Sequence, residues 1–298
     1  MKVKTRKFPE CNYNATWIDG KTFRMGDGSA KELPADKSEF YDIALGTMCN
    51  LNCPFCYAGA SNNGKFYDDI CQKAELFFGN MSENDKPFQV AIGSLGEPTI
   101  HPDFINFLKT IAKFDIVPNY TTNGITLSSK GKFHWDLLKA TNDLCGGVAV
   151  SANEWNPKIQ KTWRKAVENL SNFTKTKINL HYVISDEKSV IRFKEIYDEY
   201  KDKIFYFVLL PMMDSGRCTQ RYSESAFKKL EAMWNDFDVS KISFGAHFYP
   251  LLKESEIINC SLYEPESFSK NLILDNPITI TRSSFDLTVL KTIKYEKK

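Results

Sequence analysis

The 298-residue chain has no apolar run approaching the roughly 20 residues that a membrane-spanning helix requires. Its basic start, MKVKTRKFPE, is not followed by an apolar segment, so it does not read as a secretory signal, and a cytoplasmic chain with no membrane contact is expected. No internal repeat and no low-complexity tract interrupts it. Neither charge sign dominates: 39 Lys and Arg against 37 Asp and Glu leave a formal +2, which neither demands nor excludes a nucleic-acid partner. A disulfide framework is absent as well. Of the eight cysteines, Cys11, Cys71, Cys145, Cys218 and Cys260 are scattered singly and read as small buried hydrophobes. The other three crowd into TMCNLNCPFCYAG, at Cys49, Cys53 and Cys56.

What is present is an alternation of short apolar runs and longer amphipathic stretches. Strands are predicted over 41–46, 87–94, 115–123, 146–152, 178–185, 204–211 and 241–248, and helices near 66–79, 102–113, 133–144, 157–173, 187–201 and 223–236. In the fourth helix Trp163, Val167 and Leu170 recur as a core-facing stripe. The repeat implies a parallel sheet with crossover helices, and the apolar strands imply that both faces are covered. The units exceed a small dinucleotide-binding domain and fall short of eight. The expected fold is therefore α/β, a partial (β/α)6 TIM-like barrel over 41–248. Residues 1–40 precede it as an extension with a hairpin signalled by Asp19-Gly20, and 249–298 follow as a small β-rich appendage.

In such folds ligands gather at the carboxyl ends of the strands, and the cysteine run directly follows the first strand. Dense thiols in a reducing compartment point to a metal. Structural zinc would need a fourth ligand, for which His101, Cys71 and Cys260 are the options, but zinc sites usually show paired knuckles and only one is present. A non-enzymatic zinc or iron–sulfur module serving a protein or nucleic-acid partner is the alternative reading. A four-iron cluster held by three thiolates instead leaves one iron open, and an open coordination position is where chemistry happens.

The spacing C-x3-C-x-aromatic-C, carried by Cys49, Cys53, Phe55 and Cys56, resembles the signature of the radical S-adenosylmethionine (radical SAM) superfamily. That resemblance implies a [4Fe-4S] cluster on the three cysteines, with the amino and carboxylate groups of S-adenosylmethionine on the open iron. It also implies an electron donor such as flavodoxin or ferredoxin, reductive cleavage of the cofactor, and a 5′-deoxyadenosyl radical that abstracts hydrogen from substrate. The substrate, whether peptide, nucleotide or small metabolite, is not legible.

Other strand ends fit the same family. Gly96-Glu97-Pro98 resembles the Gly-Gly-Glu element that receives the methionine amino group, with Leu95 in place of the first glycine. Thr122-Asn123-Gly124 resembles a supporting turn of the cofactor pocket. Ser151, and less so Asn153, would touch ribose or carboxylate, Val183 would pack on adenine, and Leu210 would hold adenine near the sixth strand end. With Phe55, Gly96, Glu97 and Asn123, these are the implied cofactor-binding residues. Arg217 is placed to meet an anionic group or to stay in solvent. No catalytic side chain is fixed, but His181, Cys218 and His247 are candidates. Cys218 and Cys260 are too few for a second cluster, so a single-cluster enzyme is expected, and the segment after Cys260 reads as a reduced tail covering the open side of the barrel.

Overall fold

Tyr41 and Ile43 point one way from the first long apolar strand and Asp42 the other, and this alternation sets the two faces of the whole sheet. The computed structural model describes residues 3–8, 12–19, 21–26, 33–255, 257 and 269–297. Seven strands, β4 (Phe40–Ala44), β5 (Gln89–Ile92), β6 (Val117–Thr122), β7 (Gly147–Ser151), β8 (Lys177–Ile184), β9 (Tyr206–Pro211) and β10 (Ile242–Phe244), are parallel neighbours in chain order. Helices α1 (Ile70–Gly79), α2 (Phe104–Ala112), α3 (Ile125–Ser128), α4 (Lys132–Leu144), α5 (Pro157–Phe173), α6 (Glu187–Tyr200) and α7 (Glu224–Ala232) run between them. All seven predicted strands and all six predicted helices are present, with shifted ends. The parallel α/β architecture agrees with a partial barrel.

The outward face carries the core. Tyr41 lies edge-on to Phe77 and Phe78 of α1, with centroids 5.4 and 6.2 Å apart. Trp163, Val167 and Leu170 of α5 are fully buried, as their spacing requires. Along β8 the outward Ile178, Leu180, Tyr182 and Ile184 are buried, whereas the inward Lys177, Asn179, His181 and Val183 are half-buried and line the lumen.

Three features depart from the sequence reading. First, β1 (Val3–Phe8), β2 (Tyr13–Ile18) and β3 (Lys21–Gly26) form a separate antiparallel sheet, of which only the β2–β3 hairpin was signalled. The basic residues of VKTRKF hide the strand pattern of β1. Asp19 takes φ 45° at the hairpin turn, and Gly20 lies outside the described residues. Trp17 donates through Nε1 to Gln89 Oε1 at 3.3 Å, and Lys177 donates to the Asp19 carbonyl. Phe8, Ala15, Trp17, Leu33 and Phe88 cluster with Val117. Gln89, Val117 and Lys177 are the first residues of their strands, so this small sheet covers the amino-terminal end of the barrel.

Second, the carboxyl-terminal strands, read from the sequence as a small β-rich appendage, extend the main sheet. β11 (Ser269–Ile273) pairs parallel with β4, and β12 (Ile278–Thr281) and β13 (Val289–Ile293) add antiparallel, giving ten strands in one sheet. Third, the seventh parallel strand stops at Phe244, and His247 sits beyond it in a 3-10 turn, Ala246–Phe248, ahead of α8 (Tyr249–Lys253). Among the described residues no helix is long and apolar enough to cross a membrane.

Candidate functional site

The cysteine loop leaves the carboxyl end of β4 and is held by backbone from three directions. Thr47 and Cys49 donate to the carbonyls of Lys65 and Ser61, each at 2.9 Å, and Glu97 N donates to Met48 O at 2.9 Å. Gly96 permits that last approach, because a Cβ there would stand 2.6 Å from the Met48 carbonyl. From the loop after β9, the Arg217 amide donates to Cys56 O at 3.0 Å. Its guanidinium donates to the carbonyls of Cys53 (3.1 Å), Gly59 (2.7 Å) and Ala60 (2.6 Å). Gly216, at φ +61°, brings the chain so close that a Cβ would meet the Tyr57 carbonyl at 2.3 Å. Arg217 is half-exposed, and three of its five guanidinium donors are engaged with carbonyls. It clasps the loop, and its planar fork suits several carbonyls at once.

Cys49, Cys53 and Cys56 are free, half-buried thiols. Leu51 N lies 3.4 Å from Cys49 Sγ, and Asn123 Nδ2 lies 3.8 Å from it. The Trp155 side chain hydrogen-bonds Cys53. Burial pushes the Cys49 and Cys53 thiols up to about 11. They therefore need a bound cation to become thiolates, which couples metal loading to proton release.

Among the described residues no three His, Cys, Asp or Glu side chains converge as a single ion would require. His101 does not serve as a zinc ligand here: Nδ1 accepts from Asp103 N at 3.1 Å, and Nε2 faces Tyr67 O at 3.1 Å. Cys71 is directed to Thr110, and Cys260 lies outside the described residues, as does Cys11. Three thiols that do not converge on one point suit a cluster in which each binds its own iron better than they suit one tetrahedral ion.

Glu97 is buried, and its carboxylate is already engaged. Oε1 accepts from Thr99 N (3.2 Å), Thr99 Oγ1 (2.6 Å) and Thr122 Oγ1 (2.8 Å), and Oε2 accepts from Asn123 N (2.7 Å). Burial raises its pKa in spite of these donors. Asn123 links this turn to the cysteine loop, donating from Nδ2 to Asn50 Oδ1 at 2.7 Å while its Oδ1 accepts from Ile125 N at 3.0 Å. Glu97, Asn123, Gly96 and Cys49 thus form one connected unit.

Ser151 ends β7, and His181 and Val183 line the lumen from β8. Leu210 also faces inward and lies over Gly245, where a Cβ would meet its Cδ2 at 2.7 Å. Phe55 is half-buried in the cysteine loop. The His181 ring has burial alone acting on it, which lowers its pKa to about 4, so it is neutral at physiological pH. Cys218 is buried beside Arg217 and donates to Gln220 O at 3.2 Å. His247 sits in the turn after β10. Its ring packs edge-on to Phe285 at 4.1 Å, and Phe285 stacks on Tyr57 at 4.1 Å and 24°. Phe285 lies between β12 and β13, so this contact brings the β10 end of the curled sheet against its opposite end.

The sequence reading missed the clasp of Arg217, the Trp155 contact and the Tyr57–Phe285 stack, which depend on tertiary placement. It also passed over Asp42, a lone acid within the apolar run YDIALG. That pattern was a usable signal.

The Radical SAM superfamily model matches residues 43–199. Over 89 residues the chain is 29% identical to a 7,8-dihydro-6-hydroxymethylpterin dimethyltransferase of Methanocaldococcus jannaschii, covering 30% of this chain and 18% of that protein. Among solved structures, Streptococcus suis SuiB bound to S-adenosylmethionine superposes with TM-score 0.61 at 15% identity over 82% of this chain and 60% of that one. SuiB bound to its precursor peptide SuiA gives TM-score 0.61 at 15% identity over 82% and 59%. The chain therefore spans less than two thirds of the relatives it matches.

Proposed function

Because the chain belongs to the radical SAM superfamily and is an enzyme of that kind, we propose that Cys49, Cys53 and Cys56 hold a single [4Fe-4S] cluster whose open iron receives S-adenosylmethionine. The observation that carries this reading is the thiol triad at the carboxyl end of β4, fixed by Arg217 and approached by donors from Leu51, Asn123 and Trp155. When bound, the cluster and cofactor supply an electron and a 5′-deoxyadenosyl radical.

The chain's own residues bind, orient and shield. Arg217 fixes the loop that carries the thiols. Donors directed at Cys49 and Cys53 favour the more reduced cluster by stabilising charge on sulfur. Glu97 holds the Gly96 turn in place, and Oε2 keeps one acceptor site for the cofactor's ammonium, since a carboxylate oxygen offers two lone pairs. Ser151, Val183, Leu210 and Phe55 frame the remainder of that pocket. The amino-terminal sheet keeps solvent out from below, and the Phe285 contact narrows access from the side. A flavodoxin or ferredoxin delivers the electron.

The test is anaerobic iron–sulfur reconstitution followed by dithionite and S-adenosylmethionine. Formation of 5′-deoxyadenosine supports the reading. A reduced, fully loaded cluster that yields none overturns it.

A further inference from the structure

The lumenal face of the seam between β4 and β11 holds polar atoms that the fold leaves without partners. Asp42 alternates with the core residues Tyr41 and Ile43 and so faces the lumen. The strand register sets Asn271 beside it on β11 and Ala91 beside it on β5. Among the described residues Asp42 has no hydrogen bond and no ion pair, and burial alone raises its carboxyl to about 7. Its charge acts on Tyr57, the residue after Cys56, whose hydroxyl it helps to hold protonated.

Asn271 is fully buried, and its amide orientation is fixed by a short chain of donors. Thr281 Oγ1 donates its one proton to Ser283 O at 3.2 Å, so it must accept from Asn271 Nδ2 at 3.0 Å. That turns Oδ1 away from β12, and Oδ1 has no donor within reach. When Asp42 is ionised, two acceptor groups therefore stand side by side on the lumenal face, one of them a carboxylate with no cation near it. On the other side of Asp42 the methyl of Ala91 offers a donor to neither. A seam built only for stability would place an apolar group at Asn271, because an acceptor removed from water without a donor is costly.

We infer that Asp42 and Asn271 form a recognition site for an organic cation bearing N–H donors, an ammonium or guanidinium group of the substrate, beneath the cysteine loop. Such a group supplies donors to both acceptors and a charge for the carboxylate. As a statement about substrate this rests on the proposed function, but the site itself does not depend on the radical chemistry.

The test is therefore a binding experiment on the full chain, purified anaerobically, with neither S-adenosylmethionine nor reductant present. Thermal unfolding is followed with n-butylammonium, n-butylguanidinium and Nα-acetyl-lysine methylamide, against 1-pentanol and pentanoate of similar shape. The expected result is stabilisation by the cations and none by the alcohol or the carboxylate. Preference for the lysine derivative over the free amines assigns the cation to a peptide side chain, and the reverse order assigns it to a small amine. Asp42→Asn is expected to weaken cation binding at least tenfold while leaving the unliganded protein as stable or more so, because its amide can donate to Asn271 Oδ1. Asn271→Leu is a second variant, expected to weaken binding without loss of unliganded stability. Equal stabilisation by pentanoate, unchanged binding in both variants, or a lowered unliganded Tm in both overturns the inference. The last outcome would show that the pair is a structural, water-bridged element. None of these outcomes bears on 5′-deoxyadenosine formation, so the two readings fail separately.

Discussion

Phe285 stacks on Tyr57 with ring centroids 4.1 Å apart, joining a turn near the carboxyl-terminal strands to the residue that follows the third cysteine of the motif. The same ring meets His247 beyond β10. The sheet is thus brought round on itself by three side chains where, among the described residues, no strand pairing joins its two edges. Phe285→Ala is expected to open this junction and cost about 3 kcal/mol, as for a large aromatic removed from its packing. A loaded cluster should then bleach faster in air than in the parent protein. An unchanged bleaching rate would show that the ring does not guard the loop.

Arg217 offers a second test. Its guanidinium meets the carbonyls of Cys53, Gly59 and Ala60, and a lysine ammonium cannot span all three. Arg217→Lys should lose about 2–4 kcal/mol of stability, on the scale of hydrogen bonds from a charged group. It should also shift the cluster's reduction potential, which electrochemistry reads directly. A variant with lowered stability and an unmoved potential would reduce Arg217 to a loop staple.

Replacing Cys49, Cys53 or Cys56 singly by Ala should abolish retention of about four irons per chain and the accompanying brown colour. Retention of iron by any of the three variants would mean that another side chain has taken the position.

Glu97 faces donors on both oxygens. In Glu97→Gln one donor group must oppose another whichever way the amide turns, so a loss of about 1–3 kcal/mol is expected in urea unfolding. Iron binding should survive if the cysteine loop keeps its other anchors.

Asp42 gives a pH signature. Its carboxyl is raised from 3.8 to about 7 by burial, so the folded chain holds a proton that the unfolded chain has released. Stability should be highest below the unfolded value and fall as pH rises towards about 7, with a limiting slope of about 1.4 kcal/mol per pH unit. Above that it levels off. The difference between wild type and Asp42→Asn in urea unfolding isolates this contribution, and a flat difference would mean that Asp42 stays ionised throughout.

Much of this was legible in the sequence because it is periodic or local. The parallel strands announce themselves as apolar runs, α5 through Trp163, Val167 and Leu170, and the thiol motif through its spacing. β1 was not legible, since Lys4, Arg6 and Lys7 give it the look of a solvated tail. Nor was the docking of β11 against β4, because strand order depends on which edges remain open once the chain has folded. The carbonyl partners of Arg217 were not legible for a related reason: a charged residue in a loop suggests an anion or water, and the close approach permitted by Gly216 is a tertiary feature. Glu97 stood out in the sequence through its Gly-Glu-Pro turn, but its interactions with Thr99, Thr122 and Asn123 come from the folded turn.

The position of β11 beside β4 has a temporal consequence. Ribosomes deliver β4 and the thiol loop well before β11–β13, and at typical elongation rates the roughly fifty residues after β10 take on the order of seconds to appear. During that interval the nascent barrel has an unfinished flank on the strand that leads into the cysteine loop. The loop is thus made well before that flank, and the late strands close the sheet beside a segment that is already in place.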